Sequence, residues 1–240
     1  MAVTPEISPK KASCALAIFC RAPRLGQVKT RLAATHGDGF ALELYRAMLA
    51  DSFALGAALA PSVDTFACFT PDDAFRITPD DDSLSVFWDG PRLTQCSGNL
   101  GDKMLDALTQ LRRRGYQRIV LIGSDSPDVP LERLRSAFEA LEKASLVFGP
   151  APDGGFYLMG TAVEIPALLF EDVPWSSAET LRTIYGKNAK RGEARLECAE
   201  LSPWRDVDDE ADLQELWRRL FEDGTWAPQT RKFLEQMGEL

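Results

Sequence analysis

A run of branched apolar residues, Ile119-Val120-Leu121-Ile122, ends abruptly in Gly123-Ser124-Asp125-Ser126-Pro127-Asp128. An apolar run of this length, bounded by turn residues, predicts a strand buried on both faces, which is the habit of parallel sheets. Parallel strands need long crossover connections, usually helices, so this run points the chain toward an α/β architecture. It also places chemistry. Open α/β sheets bind ligands just outside the carboxyl ends of their strands. Asp125 falls at that place, with Asp128 on the loop beyond it. The expectation is that Asp125 holds a divalent metal, and that the metal holds the phosphates of a nucleotide.

The same alternation runs along the chain. Cys14–Cys20 and Val63–Phe69 are continuous apolar runs that predict strands, with shorter ones at 84–88, 118–122, 146–148 and 156–159 and a late one at 194–201. Leu42, Tyr45, Leu49 and Phe53 recur at helical spacing and predict a helix over 39–60. Further helices are predicted over 100–114, over 131–143, and over 175–187, where serine fits an N-cap. A final amphipathic helix follows Asp209, carrying Leu213, Leu216, Trp217 and Leu220. The acidic segment 71–82 is predicted as a surface loop. The turn Pro152-Asp153-Gly154-Gly155 reads as a hairpin that breaks the parallel order once. The fold class is therefore α/β, with a mainly parallel mixed sheet between helices. A chain of 240 residues suits one large domain over 13–240, preceded by a flexible tail at 1–12.

Bulk composition removes several function classes. A formal net charge of -9 argues against non-specific nucleic-acid binding. Five cysteines, none spaced as C-x-x-C, and a single histidine argue against zinc. They are read as reduced thiols in a cytoplasmic protein. No signal-peptide core and no apolar run of transmembrane length is present. His36 lies among small and polar residues and is given no role.

Two groups of residues carry the candidate chemistry. The first is the loop after the first strand. Lys29 supplies a point charge, Arg21 and Arg31 can grip phosphate oxygens in pairs, and Gly26 lets backbone N–H groups approach closely. A helix beginning near Lys29 would add a favourable field for an anion. This loop is not a Walker sequence. The second group is acidic. Mg²⁺ takes one or two carboxylates plus phosphates and water. Asp125 and the Asp206/Asp208 pair each sit at a predicted strand-to-helix junction where they can converge. For Asp206, Asp208 and Asp209 the alternative is helix capping, and Asp128 is open to the same reading. Gln95, Gly98 and Asn99, in the turn before the helix at 100–114, are placed near the nucleotide base. The two glycines after Asp153 would let a sugar or acceptor approach the backbone.

Taken in order, Arg21-Ala22-Pro23 through Leu32, Gly123 through Asp128, Gly149 through Gly160, Pro174-Trp175-Ser176 and Asp206 through Leu213 resemble an uncharacterised bacterial glycosyltransferase-like family. Its members often accompany radical-SAM or selenium-related genes. The family is similar to 2-phospholactate guanylyltransferases and to other enzymes of the nucleotide-diphospho-sugar transferase (GT-A) fold. The resemblance implies a single Rossmann-like domain with Mg²⁺ or Mn²⁺ at Asp125. It implies Asp208 as the partner ligand, and Arg21, Gly26, Lys29 and Arg31 on phosphates. The chain departs from the pattern at Phe156, which replaces a tyrosine, at Asp209, where threonine is usual, and at Ser126, a place often held by cysteine.

The leading expectation is a metal-dependent glycosyltransferase that takes a nucleotide-diphosphate sugar and an unknown acceptor, with Asp153 as acceptor-side base. The alternatives are a nucleotidyltransferase that releases pyrophosphate from a nucleoside triphosphate, and a non-catalytic nucleotide-binding protein.

Overall fold

The computed structural model describes residues 13–70 and 88–238. The predicted tail at 1–12, the loop at 71–82 and most of the predicted strand at 84–88 lie outside the described residues. Among the described residues seven strands form one sheet in the order β3-β2-β1-β4-β6-β5-β7. They are β1 (Cys14–Cys20), β2 (Val63–Phe69), β3 (Arg92–Thr94), β4 (Arg118–Gly123), β5 (Leu146–Pro150), β6 (Phe156–Thr161) and β7 (Cys198–Glu200). The helices are α1 (Thr30–His36), α2 (Asp38–Ala57), α3 (Leu100–Arg113), α4 (Leu131–Ala140), α5 (Thr180–Ala189), α6 (Glu210–Phe221) and α7 (Pro228–Met237).

Strand β1 pairs in parallel with β2 on one side and β4 on the other. Strand β6 runs antiparallel between β4 and β5, which is the predicted break in parallel order. The chain winds outward from β1 through β2 to β3, then returns to β4 on β1's other side. The reversal falls between β1 and β4, and that switch point opens a crevice at their carboxyl ends.

Alternation along the buried strands feeds two cores. Leu16, Ile18, Val120 and Ile122 face α2 and α4, packing on Leu49, Phe53, Leu134 and Phe138. Ala15, Ala17, Ile119 and Leu121 face the opposite layer, packing with Leu108, Leu111 and Ile184 of α3 and α5. A third cluster lies outside the sheet: Leu44 and Met48 on the back of α2 meet Leu213, Leu216 and Leu220 of α6 and Leu234 of α7. Helix α2 is thus apolar on two sides, which buries it between the sheet and the last two helices. No helix among the described residues is long and apolar enough to cross a membrane.

Several local expectations need correction. The helix predicted from 175 begins at Thr180 with no side-chain cap. The Ser177 hydroxyl instead donates to the Pro174 carbonyl at 2.7 Å, holding a loop ahead of the helix. The late strand is only Cys198–Glu200, because Gly192–Ala194 closes as a 3₁₀ turn. Strand β3 and helix α7 were not expected; β3 has three residues, and α7 shows no long apolar stripe.

Candidate active site at the switch point

A cleft of about 620 Å³ opens over the carboxyl ends of β1 and β4. Its walls divide by element. Arg21 and Gln27 come from the loop after β1, Arg31 from α1, Gln95 from the turn after β3, and Lys103 from α3. Asp125 follows β4, and Asp206 and Asp208 precede α6. The cleft therefore has a cationic side and an acidic side, with Lys29 reaching from the first to the second.

The cationic side is built by local backbone. Gln27 N–H donates to the Arg24 carbonyl at 3.1 Å, closing a tight turn with Gly26 at φ 72. Only glycine adopts that left-handed angle cheaply. Gly26 itself does not line the cleft; it shapes the loop that does. Tyr45 on α2 clamps the loop, its hydroxyl accepting the Arg21 N–H at 2.9 Å and lying 3.1 Å from the Ser124 hydroxyl. Burial pushes the Tyr45 phenol well above its ordinary range, so it stays neutral. Among the described residues Arg21, Arg31 and Lys103 make no ion pair within 4 Å. Three unpaired cations facing one cleft suit an anion. Lys103 was not foreseen. The available signal is its place one turn into α3, where a cation opposes the helix dipole.

The acidic side is held by α6. The Val207 N–H donates to the Asp125 carbonyl at 2.9 Å, so the two acidic segments are stitched backbone to backbone. Lys29 Nζ lies 2.5 Å from Asp125 Oδ1, 2.5 Å from the Val207 carbonyl and 3.3 Å from Asp208 Oδ1. Burial pulls the Lys29 ammonium down, but the two carboxylates more than offset this and hold it above its ordinary value. Asp206 has no ion pair within 4 Å among the described residues. Burial first, then Asp208 and Asp153, push its carboxyl up to about 6.

Other candidates have partners within the chain. Asp209, open to a capping reading, does cap α6: it accepts from Asp212 N–H at 3.1 Å, and the Asp212 carboxylate reciprocates. Asp128 caps nothing. It is fully buried, and Arg219 of α6 grips both its oxygens at 2.6 and 3.1 Å. Asn99 is the N-cap of α3, paired with Asp102, and neither it nor Gly98 lines the cleft. Gln95 does, though its side-chain amide donates to the Cys68 carbonyl at 3.0 Å. Asp153 accepts the Gly155 N–H at 2.9 Å and does not line the cleft. No ligand is needed to explain Gly154. At φ 88, a Cβ there would sit 2.2 Å from the Ala178 carbonyl oxygen, so the chain's own backbone fills that space.

Among the described residues no three His, Cys, Asp or Glu side chains form a metal cage by themselves. Asp125 and Asp208 nonetheless fit a hard cation. Both offer carboxylate oxygens to one point, and the Lys29 ammonium already marks that point as a cation position. Two carboxylates, completed by phosphates and water, are what Mg²⁺ ordinarily takes.

The family model described as "Uncharacterized protein conserved in bacteria (DUF2064)" matches residues 54–177. A crystal structure from Desulfovibrio desulfuricans G20, provisionally assigned as a nucleotide-diphospho-sugar transferase, is 30% identical. The alignment covers 94% of this chain and 95% of that one, with a TM-score of 0.83. The chain belongs to the DUF2064 family. Two more distant structures share the fold. One is a cytidylyltransferase from Leptospira borgpetersenii serovar Hardjo-bovis, at 12% identity, 94% coverage of both chains and a TM-score of 0.51. The other is the 4-diphosphocytidyl-2C-methyl-D-erythritol synthase of Anaerococcus prevotii DSM 20548, at 11% identity, 86% and 97% coverage and a TM-score of 0.52. No curated protein sequence matches. The fold is thus that of nucleotide-diphospho-sugar transferases, as the motifs implied, and it is shared with cytidylyltransferases.

Proposed function

We propose that the protein is a metal-dependent glycosyltransferase that takes a nucleotide-diphosphate sugar and passes the sugar to a neutral acceptor. The observation that carries this reading is the division of the cleft. Arg21, Arg31 and Lys103 offer unpaired positive charge to a diphosphate on one side. On the other, Asp206 feels Asp208, Asp153 and Asp125 together. A phosphorylated acceptor arriving there would meet like charge, whereas a hydroxyl would find a hydrogen-bond acceptor.

Asp125 and Asp208 would hold Mg²⁺ or Mn²⁺, and Asp206 would flank them. When bound, the cation supplies charge stabilisation to the departing diphosphate. Arg21 and Arg31 bind and orient the phosphates in forked pairs. Asp206, rather than Asp153, is the acceptor-side carboxylate in this reading. It lines the cleft, while Asp153 is engaged in its own turn and acts by raising Asp206's proton affinity. Gln95, buried in the cleft wall after β3, would contact the base. The catalysis is positional and electrostatic and needs no protein nucleophile.

The cationic side also favours a second reading, nucleotidyl transfer, because three free cations suit a triphosphate as well as a diphosphate. Product analysis separates the two. Incubation with a panel of nucleotide-diphosphate sugars and Mn²⁺ is expected to release the nucleoside diphosphate. Incubation with nucleoside triphosphates is expected to release no pyrophosphate. Pyrophosphate release without sugar-nucleotide turnover would replace the first reading by the second, and tight binding with turnover of neither would favour a non-catalytic nucleotide-binding protein.

A further inference from the structure

We propose that the Lys29 ammonium occupies the cation seat between Asp125 and Asp208 until a nucleotide arrives, so that metal and nucleotide enter together. The inference rests on the metal seat of the reading above and adds an order of binding to it.

The geometry is specific. The Lys29 side chain is 4% exposed, although its partners Asp125 and Asp208 are 44% and 51% exposed. A long cationic side chain on a surface loop has been turned inward. Its three acceptors, Asp125 Oδ1, Asp208 Oδ1 and the Val207 carbonyl, match the three N–H bonds of an ammonium. The backbone is recruited to the same end. Lys29 has φ 47, a left-handed angle uncommon for a residue with a side chain, and its side chain caps nothing at the start of α1. The ammonium contacts offset the cost of that conformation.

A divalent cation bonded to these oxygens at about 2.1 Å cannot share them with the ammonium. Two cations would lie within a few ångströms of each other in a half-buried site, where their repulsion is strong. Metal and Lys29 therefore exclude one another from the seat. Without nucleotide, an evicted Lys29 leaves three acceptors and gains none, so metal alone binds against a competitor built into the chain. Phosphates along the Arg21 and Arg31 side offer Lys29 new acceptors close by. The cost of eviction then falls, and nucleotide and metal favour each other's binding, a coupling typically worth about 5–150-fold.

The test is calorimetric titration of Mn²⁺ into the wild-type protein and into Lys29→Met, each with and without a nucleoside diphosphate. Lys29→Met is expected to bind Mn²⁺ alone about tenfold or more tightly than wild type, and nucleotide is expected to narrow the gap. Equal affinity in the absence of nucleotide overturns the proposal. Because the substitution removes a buried contact, wild-type protein supplies a second readout. Acetylation of Lys29, followed by mass spectrometry against exposed Lys143, is expected to be slow without metal and faster at saturating Mn²⁺. An unchanged rate also overturns it. If neither protein binds Mn²⁺ with or without nucleotide, the metal seat itself is wrong and this inference falls with it. Tight and equal binding by both leaves the seat standing and removes only the role of Lys29.

Discussion

Asp206 concentrates the electrostatics of the cleft in one side chain. Its folded-state pKa of about 6 stands above its ordinary 3.8. A carboxyl raised in this way binds more protons folded than unfolded. Its stabilising contribution is full below about 3.8 and is lost as pH rises through about 6. The metal-free wild-type protein should therefore lose thermal stability relative to Asp206→Asn as pH is raised from 4 to 7. Melting curves of both proteins across that range check this, and a constant gap would contradict the assignment. A cation between Asp125 and Asp208 offsets the part of the shift that comes from those two carboxylates and leaves the larger part due to burial, so saturating Mn²⁺ should narrow the difference. At this scale the sequence was partly legible. The acids and the first basic loop announced themselves by standing at the ends of apolar runs. What each one touches did not. Lys29 was expected on phosphate, and its bridge between two carboxylates was not foreseen, because the partners 96 and 179 residues away meet only through the sheet's winding order.

The last two helices are held to the sheet by buried charge rather than by apolar packing alone. Asp51, fully buried on α2, accepts the Gln229 and Thr230 N–H groups at 3.0 and 2.8 Å and so caps α7 from another helix. Asp51→Ala should cost about 1–3 kcal/mol, through orphaned donors at a buried helix end. Denaturant unfolding would measure the loss, with faster amide exchange at Gln229 and Thr230. The Asp128–Arg219 pair does the same for α6, and Trp204 Nε1 adds a third hydrogen bond to Asp128 at 3.3 Å. Asp128→Asn should cost about 3–5 kcal/mol, because it leaves a buried guanidinium without its counter-charge. Pairing it with Arg219→Met should recover part of that loss, which denaturant curves of the single and double variants would reveal. Neither anchor was legible beforehand. A lone aspartate three residues before a helix reads as a cap from local sequence, and only the fold brings Arg219 against it. Helix α7 was missed for a related reason: Thr230 and Leu234 are its only buried residues, so no apolar stripe marks it.

For the whole molecule, the alternation of buried strands with helices was the most legible property, whereas the winding order β3-β2-β1-β4-β6-β5-β7, which no single run of residues carries, was the most consequential. Buried strands β1, β2 and β4 declare themselves by composition, and their boundaries come within a residue of expectation. Once they are parallel, the reversal between β1 and β4 fixes where a ligand lies. Short elements at the sheet margins, β3 and β7, carry too few residues for a pattern. The proposed chemistry depends on phosphates bound between the cationic side and a cation centred on Asp125. Calorimetric titration of a nucleoside diphosphate into wild type and Asp125→Asn, with Mn²⁺ and with EDTA, tests this most directly. Wild type should bind more tightly with Mn²⁺, by about tenfold or more, and Asp125→Asn should show no metal effect. The same Mn²⁺ enhancement in Asp125→Asn would rule out a cation seat at Asp125.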